Sequence, residues 1–324
     1  MATHLYIIGN GFDLHHRVNC SYKNFRDWMS ETNPDVMNSV EETYGDCNED
    51  WWSDFENQLA SLDAIRFGEQ IAYENPPDLM SDHCDRTWND AEIEVELQLE
   101  SLYSNLRDCF HDWIEQLNKP LGEKKVRIEI QDSVFINFNY TKTLEDLYGV
   151  NPDRVLHIHG CIDCDEDFIL GHGKSYEELE QINKEDFPEL PDDLPSEDIA
   201  EFYEENSEKG HEIHEQFAIG AAINGVASQR KPVAELISRY STFFDSIKAV
   251  KHVHVYGLSI SDVDKPYLEY FALKFKDSFW EFSDYEDQNR MSIEKFCNSN
   301  GINYSIINLA DLQFARQLSI DFSE

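Results

Sequence analysis

Seven short apolar runs, separated by longer helical or polar stretches, are the feature of this sequence that most constrains its fold. Runs of this length and composition are typical of β-strands. Strands that alternate with helical stretches favour a parallel sheet that is covered on both faces. We therefore expect a Rossmann-like α/β fold with a mostly parallel sheet and helices on both faces. The predicted strands cover residues 4–9, 133–138, 154–160, 167–173, 249–258, 278–284 and 302–309.

Two insertions are expected in a single domain that spans residues 1–324. Residues 21–120 form a helical insertion after the first strand, because apolar residues recur there at steps of three and four. Residues 175–215 are crowded with Asp and Glu and are interrupted by Pro188, Pro191 and Pro195. This acidic insertion is either a solvent-exposed loop or a lid over a pocket. The helical pattern is clearest at Val95, Leu99, Leu102, Leu106, Phe110, Trp113 and Leu117.

The charge of the chain argues against direct binding of nucleic acid. The 26 Lys and Arg residues against 65 Asp and Glu residues give a net charge of -39. Such a field repels phosphate backbones and offers no release of counterions. The acidic surface either keeps the protein soluble or mimics DNA towards a basic partner, and solubility is the favoured interpretation.

The location of the protein is expected to be the cytoplasm. The first residues have no basic region, and their apolar run is too short for a signal peptide. No segment approaches the ~20 apolar residues that a membrane-spanning helix needs, so no membrane partner is expected. The seven cysteines are odd in number and scattered, which favours reduced thiols over a disulfide framework.

Two loops in the first half of the chain carry candidate ligand-binding residues, because ligands of open α/β sheets bind beyond the carboxyl ends of the strands. Asn139 follows the second predicted strand, and either ties the loop or orients a ribose hydroxyl or a water. Thr141 beside it is expected to cap a helix. The loop after the first strand is either a tight structural turn or a cradle for phosphate and ribose. Its residues are Gly9, Asn10, Gly11, Phe12 and Asp13.

Two further loops supply a histidine and several small polar residues. Strand alternation predicts that His157 and His159 share one face, with His159 at the strand end beside Gly160. A histidine in this place is either a structural residue whose hydrogen bonds are made within the fold or a group that transfers protons. In the loop 256–264, Gly257 permits a close approach of the backbone. Ser259 and Asp262 are candidate sugar contacts, whereas Ser261 or Asp262 could instead cap the following helix.

A metal site is not expected from the sequence. Cys161 and Cys164 form a single CxxC pair, whereas a structural zinc ion needs four ligands. The chain also has no P-loop, no GxSxG elbow and no HExxH motif. Structural zinc and the corresponding hydrolase and kinase classes are therefore disfavoured.

The order of these motifs resembles the bacteriophage abortive infection AbiH family along nearly the whole chain. The motifs are IIGNGFDLHH at 7–16, SYKNF at 21–25, WWSDFENQL at 51–59, FNYTKTLEDLY at 138–148, HIHG at 157–160, ILGHG at 169–173 and YGLSISDVD at 256–264. At the level of motifs they are also similar to sirtuin-type NAD-binding domains. That similarity matches Gly9 and Gly11 to the glycine loop, Asn139 to the TxNxD asparagine, and His159 to the histidine of the HG motif. Gly257 and Ser259 match the late glycine-serine loop.

The resemblance implies an anti-phage effector with a sirtuin-like fold. Thr141 stands where the sirtuin pattern has aspartate and the zinc cysteines are incomplete, so hydrolysis of NAD to nicotinamide and ADP-ribose is implied in preference to protein deacylation. His159 and Asn139 are the implied catalytic residues, and NAD is the substrate with no further cofactor. The alternatives are a nucleotide-binding sensor without catalysis and a nuclease-type toxin. A phage-derived trigger and a homo-oligomer are left open.

Overall fold

A six-stranded sheet forms the centre of the computed structural model, which describes residues 2–77, 87, 89–162, 168–184 and 213–313. Its order is β3-β2-β1-β4-β5-β6, and every neighbouring pair is parallel. The expected Rossmann-like α/β fold is thus confirmed. The strands are β1 His4–Ile8, β2 Ser133–Asn137, β3 Val155–His157, β4 His252–Tyr256, β5 Phe279–Ser283 and β6 Asn303–Ile307.

Helices connect the strands. Among the described residues, six α-helices lie between α1 and β2, where the sequence predicted a helical insertion. The helices of the described residues are α1 Asn10–His15, α2 Tyr22–Thr32, α3 Pro34–Tyr44, α4 Glu49–Ser53, α5 Phe55–Gln58, α6 Ala64–Glu74, α7 Asp90–Glu115, α8 Thr143–Tyr148, α9 Tyr176–Ile182, α10 Ile213–Ala227, α11 Val233–Arg239, α12 Ser241–Ser246, α13 Lys265–Lys274 and α14 Arg290–Asn300. No helix among the described residues is both long and apolar enough to cross a membrane.

One predicted strand is wrong. Residues 168–173 contain only an isolated bridge, between His172 and Arg230. The backbone of Ile169 instead bonds to His159 O and accepts a hydrogen bond from the Tyr140 hydroxyl. The backbone groups of this segment therefore have loop partners, although its apolar run looks like a strand. Asp167 lies outside the described residues.

Apolar side chains cover both faces of the sheet, because alternate residues of each strand point to opposite sides. On one face, Leu5 and Ile7 of β1 belong to a core that includes Tyr267, Leu268 and Phe271 of α13. On the other face, Tyr6 and Ile8 belong to a core with Phe12, Leu144, Tyr148 and Tyr256. The hydrophobic burial fixes the register of β1 between its neighbours, since a slip of one residue would exchange the two faces.

The described chain divides into two compact units. The first contains the described parts of residues 1–33, 107–170 and 231–324, and includes the whole sheet; the second contains those of 34–106 and 171–230. The predicted stripe on α7 is buried from Val95 to Trp113. In the acidic insertion, α9 begins with a capping box of Ser175 and Glu178, and residues 185–212 lie outside the described residues. The single-domain organisation and the lid stay predictions.

Candidate functional site at the carboxyl edge of the sheet

The four loops that the sequence singled out all leave the carboxyl edge of the sheet. They follow β3, β2, β1 and β4, which lie next to one another in this order in the sheet. The strand order reverses between β1 and β4. In doubly wound sheets this reversal point is where the ligand crevice lies. The carboxyl edge beside β1 is therefore the expected position of a ligand site.

The loops after β1 and β4 pack tightly against each other. Gly9 N–H donates to Tyr256 O at 2.9 Å, and Gly11 N–H donates to Gly257 O at 2.7 Å. A Cβ atom on Gly9 would lie 2.6 Å from Leu258 Cα, and one on Gly257 would lie 2.0 Å from Phe12 N. The glycines therefore have a structural role, and the amides of Gly9 and Gly11 already have acceptors. A phosphate cradle in this loop stays a prediction.

Asp13 is a fully buried carboxyl group at the centre of this edge. Its Oδ2 accepts a hydrogen bond from the Thr141 hydroxyl, and its Oδ1 has no hydrogen-bond partner among the described residues. Burial raises the pKa of Asp13 to about 6, although hydrogen bonds from Thr141 and Thr143 act in the opposite direction. The carboxyl group can therefore hold or release a proton near neutral pH.

Two asparagines shape the loop after β2. Asn137 Oδ1 accepts from Asn139 N at 3.1 Å, and Asn137 Nδ2 donates to Thr141 O at 3.3 Å. Asn139 Nδ2 donates to Gly9 O at 3.1 Å, so this amide ties the loop after β2 to the loop after β1. Thr141 is not a helix cap, because α8 begins after Lys142 and the Thr141 hydroxyl is used by Asp13.

His157 and Glu145 form a pair that the sequence reasoning missed. Nε2 of His157 lies 2.8 Å from Oε1 of Glu145, and the two side chains are only 10% and 12% exposed. Nδ1 of His157 lies 3.2 Å from Asn139 O. Oε2 of Glu145 has no hydrogen-bond partner among the described residues. The sequence showed a histidine at the end of the predicted strand. Its contact with an acidic residue of α8 becomes visible only in the folded structure.

His159 lies among aromatic rings and not beside His157. The strand ends at His157, so His159 is in a turn and alternation no longer sets its direction. The expectation of a shared face is therefore wrong: His157 contacts Glu145, whereas His159 packs against the rings of Phe138 and Tyr267 at 5.1 and 5.6 Å.

A neutral imidazole is the stable form of His159. Burial, and secondarily the cation of Lys231, hold its pKa well below the usual range. Its Nε2 has no hydrogen-bond partner among the described residues. Nζ of Lys231 lies 3.9 Å from Oδ1 of Asp264, and burial raises the pKa of Asp264 despite that cation. This buried lysine and aspartate pair was not predicted either.

The remaining candidates differ in accessibility. Ser259 and Asp262 are exposed, and Gly160 is buried with a positive φ of 85°. Ser261 rather than Asp262 bonds at the start of α13, where its Oγ accepts from Asp264 N. Asn10 donates to Cys20 O and accepts from the Cys20 thiol, which fixes the chain after α1. Phe12 is a core residue.

The cysteines only partly follow the expectation. Cys20, Cys47, Cys109 and Cys297 are reduced and not disulfide-bonded, as expected. Cys161 is disulfide-bonded, so the expectation of reduced thiols is wrong for it. Cys84 and Cys164 lie outside the described residues. The arrangement of the CxxC pair, of which only Cys161 is described, is therefore not given by the structure.

The strand order, the parallel pairing and the polar carboxyl edge define a Rossmann-like α/β protein. Within this class the chain belongs to the bacteriophage abortive infection AbiH family, whose sequence model matches residues 5–284. Membership implies a role in abortive infection by bacteriophage. No curated protein and no solved structure matches the chain.

Proposed function

We propose that the chain is an abortive-infection effector that hydrolyses NAD at the carboxyl edge of its sheet. The observation that carries the proposal is the set of buried polar groups beside the strand-order reversal, with the Asp13 carboxyl at its centre. Nucleotides bind at this edge of doubly wound sheets. The motif-level similarity to sirtuin-type domains supports NAD as the nucleotide.

The reaction breaks the bond between the ribose C1′ and the nicotinamide nitrogen. Nicotinamide leaves with the electron pair of that bond, and an oxocarbenium-like sugar remains. Water then adds to C1′ and loses a proton to a base, which gives ADP-ribose. A carboxylate at Asp13 would stabilise the positive sugar and take the proton of the water, and the unpartnered Nε2 of neutral His159 would accept a hydrogen bond from a ribose hydroxyl.

The other candidates have supporting roles in this proposal. Asn139 is a positioning residue, because its amide ties the two loops that flank Asp13. The loop of residues 9–13 would lie along the pyrophosphate and ribose. Ser259 and Asp262 are exposed at the same edge and are available to sugar hydroxyls.

The test is nicotinamide release from NAD by the purified full chain, with and without phage lysate. We expect release by the wild type and by His111→Ala, a control that removes an exposed histidine. Release should fall by at least about 100-fold in His159→Ala and Asp13→Asn while circular dichroism shows folded proteins. Equal release by all four proteins contradicts the assignment.

The same assay separates the alternative functions. If NAD raises the melting temperature but neither nicotinamide nor ADP-ribose forms with or without lysate, the chain is a nucleotide-binding module and the proposal fails. If the purified chain instead degrades nucleic acid in the presence of a divalent metal, the nuclease alternative replaces the proposed hydrolysis of NAD.

A further inference from the structure

Three histidines lie side by side on β1 and β4, at the opposite end of the strands from the candidate site. His4 is opposite His252 in the parallel register, and His254 is two residues further along β4. The centroid of the His4 ring lies 5.0 Å from that of His252 and 5.3 Å from that of His254. His4 is four residues before the end of β1, which is about 13 Å along the strand.

One pair of ring nitrogens is joined by a hydrogen bond and lies close to the separation of metal ligands. Nδ1 of His4 lies 3.0 Å from Nε2 of His254. Two nitrogens bound to one tetrahedral zinc ion at about 2.1 Å lie about 3.4 Å apart. An ion would fit between them once the proton of this hydrogen bond is lost and the two nitrogens move about 0.4 Å further apart.

Glu281 on β5 fixes the tautomer of His254. Its Oε1 accepts from Nδ1 of His254 at 3.0 Å and from the Tyr256 hydroxyl at 2.5 Å. A neutral His254 consequently carries its proton on Nδ1 and its lone pair on Nε2, which faces His4. Carboxylate–histidine–metal arrangements use the same geometry.

We propose that His4, His252 and His254 bind a divalent transition-metal ion such as Zn²⁺, with Glu281 as the carboxylate that orients His254. Binding requires the exposed ring of His252 to turn from its stacked position towards the other two. Three imidazoles and a water are a ligand set that suits Zn²⁺. The ion would link β1 to β4, and the inference does not depend on the proposed function.

The test is zinc titration of the untagged, metal-stripped full chain by calorimetry, repeated with Co²⁺ to record the absorption of a tetrahedral site. We expect one ion per chain, and a melting temperature raised by about 5 °C at a zinc concentration 100 times the Kd. His252→Ala and His4→Ala should each weaken binding by at least about tenfold, and so should Glu281→Gln.

Two features keep the result decisive. His252 is exposed, so its variant folds even if changes at the more buried His4 disturb the sheet. His111→Ala is the matched control, because His111, Asp112 and Glu115 form an exposed group whose ligand atoms lie within 4.8 Å of one another. Zinc binding that is absent, or that is lost in His111→Ala and retained in His252→Ala, overturns the proposal.

Discussion

The Thr141 hydroxyl donates a hydrogen bond to Oδ2 of Asp13, although 128 positions separate the two residues in the chain. The contact joins the loop after β2 to the first helix after β1. It stabilises the charged form of a carboxyl group that burial would otherwise keep protonated. The protonation state of Asp13 therefore depends on a neighbour that a single substitution can remove.

Asp13→Asn should change the pH dependence of stability. The pKa of Asp13 is about 6 in the folded chain against 3.8 for the free group, so the folded state binds the proton more tightly. The free energy of unfolding of the wild type must then fall as pH rises from about 4 to above 6. Relative to the variant the fall between pH 4 and pH 7 should be about 2.4 kcal/mol. Urea unfolding of both proteins at pH 4 and pH 7 measures it, and parallel curves would exclude the raised pKa.

Thr141→Val removes the hydroxyl and keeps the shape of the side chain. A hydrogen bond to a charged acceptor contributes more than one to a neutral acceptor. We expect a loss of about 1 kcal/mol at pH 5 and about 2 kcal/mol at pH 8. The pKa of Asp13 should also rise above 6, and NMR titration of its carboxyl carbon would follow it. An unchanged titration would mean that Thr141 does not act on Asp13.

The pair of Glu145 and His157 should show strong coupling. Removing one partner of this largely buried hydrogen-bonded pair leaves the other without its counterpart and costs about 2 kcal/mol. Glu145→Gln and His157→Gln should each show this loss, and the double variant should lose less than the sum. A double-mutant cycle in urea gives the coupling free energy. Additive losses would show that the 2.8 Å contact contributes nothing.

Local sequence was sufficient for most of the fold. The runs that became β1, β2 and β4 to β6 are rich in apolar residues because helices cover both faces of the sheet, and a parallel sheet favours that pattern. The run at 167–173 has the same composition. It fails as a strand because its backbone bonds to His159 and Tyr140, and partners that distant leave no local signal.

The candidate site was only partly predictable for the same reason. The loops after β1 and β2 were found because Gly, Asn and Asp directly follow apolar runs. The link between His157 and Glu145 depends on how α8 packs beside β3, which spacing along the chain does not show. Likewise, the neighbours of His159 are set by a turn and not by strand alternation. His4 and His254 are 250 positions apart, so their contact required the sheet order.

Gly257→Ala should destabilise the chain far more than Gly149→Ala. Both glycines have φ angles in the left-handed region, 68° and 66°, so an added methyl group causes similar backbone strain of about 1 kcal/mol. At Gly149 the new Cβ meets nothing within 4 Å, whereas at Gly257 it would lie 2.0 Å from Phe12 N. The loops after β1 and β4 would have to separate and lose the bond from Gly11 to Gly257 O. We expect losses of about 1 kcal/mol at Gly149 and at least about 3 kcal/mol at Gly257 by urea unfolding. Equal losses would mean that the close approach of the two loops is not required for the fold.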